Sequence, residues 1–139
     1  GVRVHSGGTY IAMEGPIFST RAESNLYRSW DASVIGMTAL PEAKLAREAE
    51  LCYATLACVT DYDCWHANEE TVSVGLVAQN LAGNVINARQ IVQKVISQTK
   101  GPQACQCHRA LEGAIVTNPK GIPNKSKDRL MLLLRKYID

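Results

Sequence analysis

The chain runs to 139 residues, 46% hydrophobic and 20% charged, with a formal net charge of +2. Such length and composition suit one globular domain with a real core and are too little for two. The charges are mixed in sign throughout, which argues against a nucleic-acid surface, and no apolar run is long enough to span a bilayer. Lys and Arg thicken after Lys120, but they alternate with leucines as on a solvated helix face. The opening Gly1-Val2-Arg3-Val4-His5 has no initiator Met and no signal-peptide pattern, so a processed product or an excised piece, located in the cytoplasm, is expected.

In chain order, Thr9 to Met13 (TYIAM) reads as a strand. Thr20-Arg21-Ala22-Glu23 has the S/T-x-x-E form of a capping box, and Ala22, Leu26, Tyr27 and Trp30 follow at helical spacing. Ser33 to Met37 (SVIGM) reads as a second strand. Pro41 suits the first turn of a helix that carries its acid early, over Glu42 to Leu51. Tyr53 to Thr60 (YATLACVT) reads as a third strand. Ser73 is placed to cap a long helix whose apolar positions Val77, Leu81, Val85, Ile86, Val92, Val95 and Ile96 keep close to a 3.6 period. Gly101 and Pro102 end it. Residues 103 to 116 are expected to hold another helical segment. Thr117 to Asn124, with two prolines and a glycine, reads as a surface loop. Ser126 is placed to cap a last helix with Leu130, Leu133, Leu134 and Tyr137 on one stripe. Strands alternate with helices before residue 100 and helices dominate afterwards, an α/β pattern with a helical flank. Three strands are too few for a doubly covered parallel sheet, so part of a larger α/β domain, unable to fold independently, is expected.

The chemistry-bearing residues fall at the three strand ends. Asp61-Tyr62-Asp63 puts two carboxylates two residues apart, on one side of an extended chain, where ligands of open α/β sheets bind. A lone D-x-D is more often a solvated acidic loop. Here Glu14-Gly15-Pro16-Ile17-Phe18-Ser19-Thr20-Arg21 follows the first strand and Met37-Thr38 the second, and three such ends make a site. The five cysteines are Cys52, Cys58, Cys64, Cys105 and Cys107. Cys52 and Cys58 flank or lie within an apolar strand, where an inert thiol is the default. Cys105-Gln106-Cys107-His108 is tighter than a zinc knuckle and lacks a fourth ligand, so no metal is expected. A disulfide fits better: either cysteine could reach Cys52, Cys58 or Cys64, or the two could bridge each other. Spacing leaves these pairings open.

Gly15-Pro16-x-Phe18-Ser19-Thr20-Arg21-Ala22-Glu23, Val34-Ile35-Gly36-Met37-Thr38-x-x-Pro41-Glu42 and Thr60-Asp61-Tyr62-Asp63, in that order, resemble the trimeric purine nucleoside phosphorylase family, best its 5'-methylthioadenosine phosphorylase branch. The resemblance is nearly continuous from Gly1 to about Leu81 and weak from about residue 97. It implies a three-layer α/β domain with a mixed central sheet and flanking helices. Residues 1–139 would be the C-terminal, base- and ribose-binding half of that domain. The N-terminal half, with most of the phosphate-binding groups and a histidine lent by a neighbouring subunit, would be the missing partner.

The implied reaction is phosphorolysis of 5'-methylthioadenosine to adenine and 5-methylthioribose 1-phosphate, in methionine and purine salvage. It needs no cofactor beyond inorganic phosphate as co-substrate, and the implied assembly is a homotrimer or hexamer. The resemblance gives Asp61 a hydrogen bond to purine N7, oriented by Ser19, and Asp63 the 6-amino group. Phe18 would pack on the base, Met37 would back the ribose, and Thr38 would touch phosphate or a ribose hydroxyl. Val74, Val77 and Ala78 would wall the 5'-methylthio group, with Ala78 smaller than the leucine often found there. The C-x-C pair resembles that of thermostable members and implies a disulfide through Cys105 or Cys107. One departure stands out: Trp30-Asp31-Ala32-Ser33 replaces the usual Trp-Gly-Ala-Asp, at a turn away from the site. The alternatives are a broader phosphorylase acting on adenosine, inosine and guanosine, a nucleoside-binding module without catalysis, and a redox or metal protein built on Cys105-x-Cys107-His108.

Overall fold

Two parallel strands and the loops at their carboxyl ends organise the first part of the molecule, seen in a computed structural model that describes residues 2–66, 74–101 and 104–138. Strand β1 (Thr9–Ala12) pairs with β2 (Ala32–Gly36), Tyr10 opposite Val34, Ile11 opposite Ile35 and Ala12 opposite Gly36. The register slips between Thr9 and Tyr10, and there the Thr9 N–H donates to Ser33 Oγ at 3.2 Å instead of to a carbonyl. Gly36 leaves room for the Tyr10 side chain, since a Cβ there would lie 2.1 Å from the Tyr10 hydroxyl and force it to move. The Met13 N–H donates to the Gly36 carbonyl at 3.0 Å, so both strands end together.

The crossover helix α1 (Arg21–Ser29) starts as its sequence dictates. Thr20 Oγ1 accepts from the Glu23 N–H at 3.3 Å, and Glu23 Oε2 accepts from the Thr20 N–H at 2.7 Å. A reciprocal cap of this kind contributes about 1 kcal/mol to a short helix. Asp31 follows the helix at φ 59°, in the left-handed region. The family's glycine would stand there without strain, and aspartate is among the few side chains that tolerate it. The departure from the family pattern is therefore a local matter of turn conformation.

The chain divides into two units, one of residues 1–39 and 55–101 and the other of residues 40–54 and 102–139. In the first, the long helix α3 (Val74–Gln98) carries the expected apolar stripe, but Leu81, Val85, Ile86, Val92, Val95 and Ile96 are all exposed. Ser73, the expected cap, and Pro102 lie outside the described residues. Tyr53 to Thr60 is no strand, because no partner strand pairs with it among the described residues. A strand is defined by its neighbour, and apolar composition supplies none. None of the helices among the described residues is long and apolar enough to cross a membrane.

In the second unit, helix α2 (Ala39–Glu48) reaches back to the end of the first and has Pro41 in its opening turn. It closes by a Schellman motif: the Leu51 N–H donates to the Ala46 carbonyl at 2.8 Å and the Glu50 N–H to the Arg47 carbonyl at 3.1 Å. Glu50 takes the glycine position of that motif, at φ 55°. Its side chain explains why. Glu50 Oε1 accepts from the Leu111 N–H at 3.1 Å and from the Tyr137 hydroxyl, and Oε2 pairs with Lys136. His108 Nδ1 lies 3.2 Å from the Glu50 carbonyl oxygen. Burial pushes this carboxyl's pKa up, but Lys136, Tyr137 and the Leu111 N–H together outweigh it and bring the pKa down to about 2.

Residues 104–116 hold a single 3-10 turn, Gln106–Arg109, followed by further turns, where a longer helical segment was expected over 103–116. The last helix, α4 (Asn124–Ile138), begins ahead of Ser126, because the Pro123 carbonyl already accepts from the Ser126 and Lys127 N–H groups. All five cysteines are free thiols, in place of the expected disulfide.

Candidate active site

Parallel strands bring their carboxyl ends to one edge, and here that edge carries the loop 13–20 after β1 and Met37-Thr38 after β2. The two meet closely: a Cβ added to Gly15 would lie 2.7 Å from Met37 Sδ. A side chain at Gly15 would have to displace that thioether. Ser19 is tied to the third cluster, since Cys64 Sγ donates to the Ser19 carbonyl at 3.3 Å. Burial, and after it the charge of Asp63, push the Cys64 thiol's pKa up. Helix α1 adds a second tie, with the Arg28 guanidinium 3.6 Å above the centre of the Trp65 ring.

Asp61 and Asp63 do not project as alternate residues of an extended strand. Asp61 Oδ1 accepts from the Asp63 N–H at 2.9 Å, which folds the segment into an Asx turn, and Asp63 takes φ 58°. A 3-10 turn, Asp63–Trp65, follows at once. Thr60 Oγ1 donates to Asp61 Oδ2 at 2.7 Å, so both oxygens of this carboxylate are oriented by its own neighbours. Ser19 does not orient it; the Ser19 hydroxyl lies 3.4 Å from Met13 Sδ. The side chain thus serves the loop, one link from where the sequence put it.

Asp61 and Asp63 line an open cleft of about 610 Å³ against one face of α3. That volume is within the usual range for small-molecule sites. The α3 face is polar: Asn80 Nδ2 donates to the Thr60 carbonyl at 2.6 Å and Asn84 Nδ2 to the Val59 carbonyl at 2.8 Å. Two side-chain amides thus occupy carbonyls that a neighbouring strand would otherwise take, and they fix the approach to Asp61. Sequence reasoning missed both. The signal was an i, i+4, i+7 series of asparagines, Asn80, Asn84 and Asn87, sharing one face of the amphipathic helix.

The other expected residues are less gathered. Phe18 is 72% exposed, Thr38 is exposed just ahead of α2, and Met37 is half-buried. Val74 is 87% exposed in the first turn of α3; Val77 is half-buried and Ala78 exposed. None of these three lines the cleft, whose α3 residues run Leu76, Gln79, Asn80, Gly83, Asn84 and Asn87. What the geometry offers is a pair of carboxylates in fixed relation, one held on both oxygens and one at the head of a turn, beside the amides of α3.

Comparison with known proteins agrees with the residues. A family model described as "Phosphorylase superfamily" matches residues 1–97. The chain is 55% identical, over 99% of its length, to an S-methyl-5'-thioadenosine phosphorylase of Synechocystis sp. and 51% identical to one of Geobacter sulfurreducens. It spans 42% and 48% of those two relatives, under half of each. Among solved structures, a methylthioadenosine phosphorylase from an Antarctic soil metagenomic library is 50% identical, with a TM-score of 0.77, covering 91% of this chain and 45% of that one. A methylthioadenosine phosphorylase from Schistosoma mansoni, in complex with adenine, is 35% identical with a TM-score of 0.66, covering 77% of this chain and 38% of that one.

Proposed function

Because the chain belongs to the phosphorylase superfamily, we propose that it forms the base- and ribose-binding half of an enzyme that cleaves 5'-methylthioadenosine with inorganic phosphate. The products are adenine and 5-methylthioribose 1-phosphate, intermediates for purine and methionine salvage. A phosphate oxygen bonds to the anomeric carbon while the bond to purine N9 breaks, and the electron pair leaves with the base. The transition state is oxocarbenium-like, as in glycoside cleavage. Help is needed where the departing purine gains electrons, and the Asp61 carboxyl group supplies it by donating its proton to N7. Asp63 accepts from the 6-amino group and so reads adenine. The observation that carries this reading is the Asx turn that locks Asp61 to Asp63 at the mouth of the cleft.

Phe18 covers the base from the loop, Met37 backs the ribose where Gly15 presses on it, and Thr38 meets phosphate or a ribose hydroxyl. The exposed first turn of α3, with Val74, Val77 and Ala78, walls the 5'-methylthio group. The other half of the enzyme supplies most of the phosphate contacts and covers the apolar stripe of α3. The assembly is a homotrimer in the cytoplasm, and phosphate is the one co-substrate. The test is release of adenine from 5'-methylthioadenosine by the full-length protein carrying this chain. Release that depends on phosphate and yields a sugar phosphate is expected; release with water alone, or none, overturns the assignment.

A further inference from the structure

Away from the cleft, the second unit gathers three thiols from two distant parts of the chain. The sulfurs of Cys52, Cys105 and Cys107 all lie within 4.8 Å of one another. Cys52 sits just past the Schellman turn of α2, while Cys105 and Cys107 stand at the head of the 3-10 turn Gln106–Arg109. The C-x-C pair alone lacks the ligands for a metal, and the fold supplies a third.

The cluster is held in place by the residue two positions before Cys52. Glu50 grips the second segment through the Leu111 N–H and His108, and reaches α4 through Tyr137 and Lys136. Cys105 Sγ also accepts from the Cys107 N–H at 3.5 Å, which favours a thiolate there. Cys52 is exposed and the other two are half-buried, so an ion can enter.

We propose that Cys52, Cys105 and Cys107 form a three-thiolate site for a soft, thiophilic metal ion, with Cu(I) the best match. Metal–sulfur bonds of about 2.3 Å place the sulfurs of a trigonal site about 4 Å apart, within a small side-chain adjustment of the spacing seen. Three thiolates without a nitrogen or oxygen donor select a soft ion. Zinc asks for a fourth ligand, and His108 turns its Nδ1 to the Glu50 carbonyl. Binding exchanges three thiol protons for one monovalent ion; the protons go to solvent and no electron is transferred.

The test uses the full-length protein, reduced with a non-thiol reductant and kept anaerobic, titrated with Cu(I) presented as its bicinchoninate complex. One ion per chain should be withdrawn from the competitor. Cys52→Ser, Cys105→Ser or Cys107→Ser should each weaken retention by about a hundredfold, one strong soft ligand of three being lost. Cys58→Ser and Cys64→Ser should leave it unchanged. Bound Cu(I) should also protect Cys52, Cys105 and Cys107, and neither other cysteine, from iodoacetamide; this reads the site without any variant, should one fail to fold. Failure to withdraw Cu(I), full retention in Cys52→Ser, or protection of a different set of cysteines overturns the proposal.

Discussion

Replacing Asp63 by asparagine isolates what its carboxylate does. The link to Asp61 comes from the Asp63 backbone N–H, at 2.9 Å, so the substitution keeps it. Asparagine also tolerates the φ of 58° that this residue holds, whereas alanine would strain it. The turn survives and only the side chain's hydrogen-bonding sense changes. With adenine, the charge-assisted bond to the 6-amino group is reduced to a neutral bond to the amide oxygen, at a cost of about 1–1.5 kcal/mol. With a 6-oxopurine, the new amide can donate to the carbonyl, recovering about 1–2 kcal/mol of a formerly unmatched contact. At about 1.4 kcal/mol per power of ten, the preference for adenosine over inosine should fall by roughly one and a half to two and a half powers of ten. The assay is phosphate-dependent kcat/KM on methylthioadenosine, adenosine and inosine, with the full-length protein. Asp61→Asn is the contrast: its amide oxygen keeps the bond from the Asp63 N–H while the transferable proton is lost, lowering turnover on all three alike because N7 is common to them. If Asp63→Asn keeps its Tm and leaves the adenosine-to-inosine ratio within about threefold of the parent, Asp63 does not read the base.

Asn80→Ala with Asn84→Ala removes two bonds worth about 0.5–1.5 kcal/mol each and should lower kcat/KM on every nucleoside without moving their ratio; a shifted ratio would mean that these amides touch the base themselves. Asp31→Gly should raise stability by about 0.5–1 kcal/mol, the left-handed penalty of an L-residue less the extra chain entropy of glycine, read as a higher Tm. A lower Tm would show that the Asp31 side chain has a partner that matters. Glu50 has a folded-state pKa depressed to about 2 from 4.5, so its stabilising contribution is full above about pH 4.5 and is lost as pH falls toward 2. Glu50→Gln should flatten the Tm–pH curve across that window, and an unchanged slope there would place the acid sensitivity elsewhere.

Local signals were legible in the sequence. The Thr20–Glu23 capping box forms as written, β1 and β2 fall within a residue of the apolar runs that announced them, and α3 follows its 3.6 period. The D-x-D stays a candidate, and its two carboxylates do line one cleft. What failed was whatever depends on distant chain. Tyr53 to Thr60 has strand composition, but its partner cannot be written in its own residues. The orienting of Asp61 went to its neighbour Thr60 and not to Ser19, 42 positions earlier in the numbering. Asn80 and Asn84 act on carbonyls 20 and 25 residues away, and helical periodicity describes only which face they share. Ser126 looked like a cap because nothing in a composition rule says that the Pro123 carbonyl has already started the helix.

The eight residues from Tyr53 to Thr60 contain no charge, no proline and no glycine. Asparagine amides take the carbonyls of Val59 and Thr60 only, at the very end of the run. Uncharged, β-prone segments of this kind are templates for edge-to-edge association, and natural proteins guard them with flanking charges or cover them early. Here the nearest acids are Glu50 on one side, already committed to Lys136 and Tyr137, and the Asp61–Asp63 pair on the other. The gatekeepers are thus the same carboxylates that bolt one unit and furnish the cleft of the other. Neutralising them exposes the run to self-pairing, so solubility during folding constrains these positions independently of catalysis.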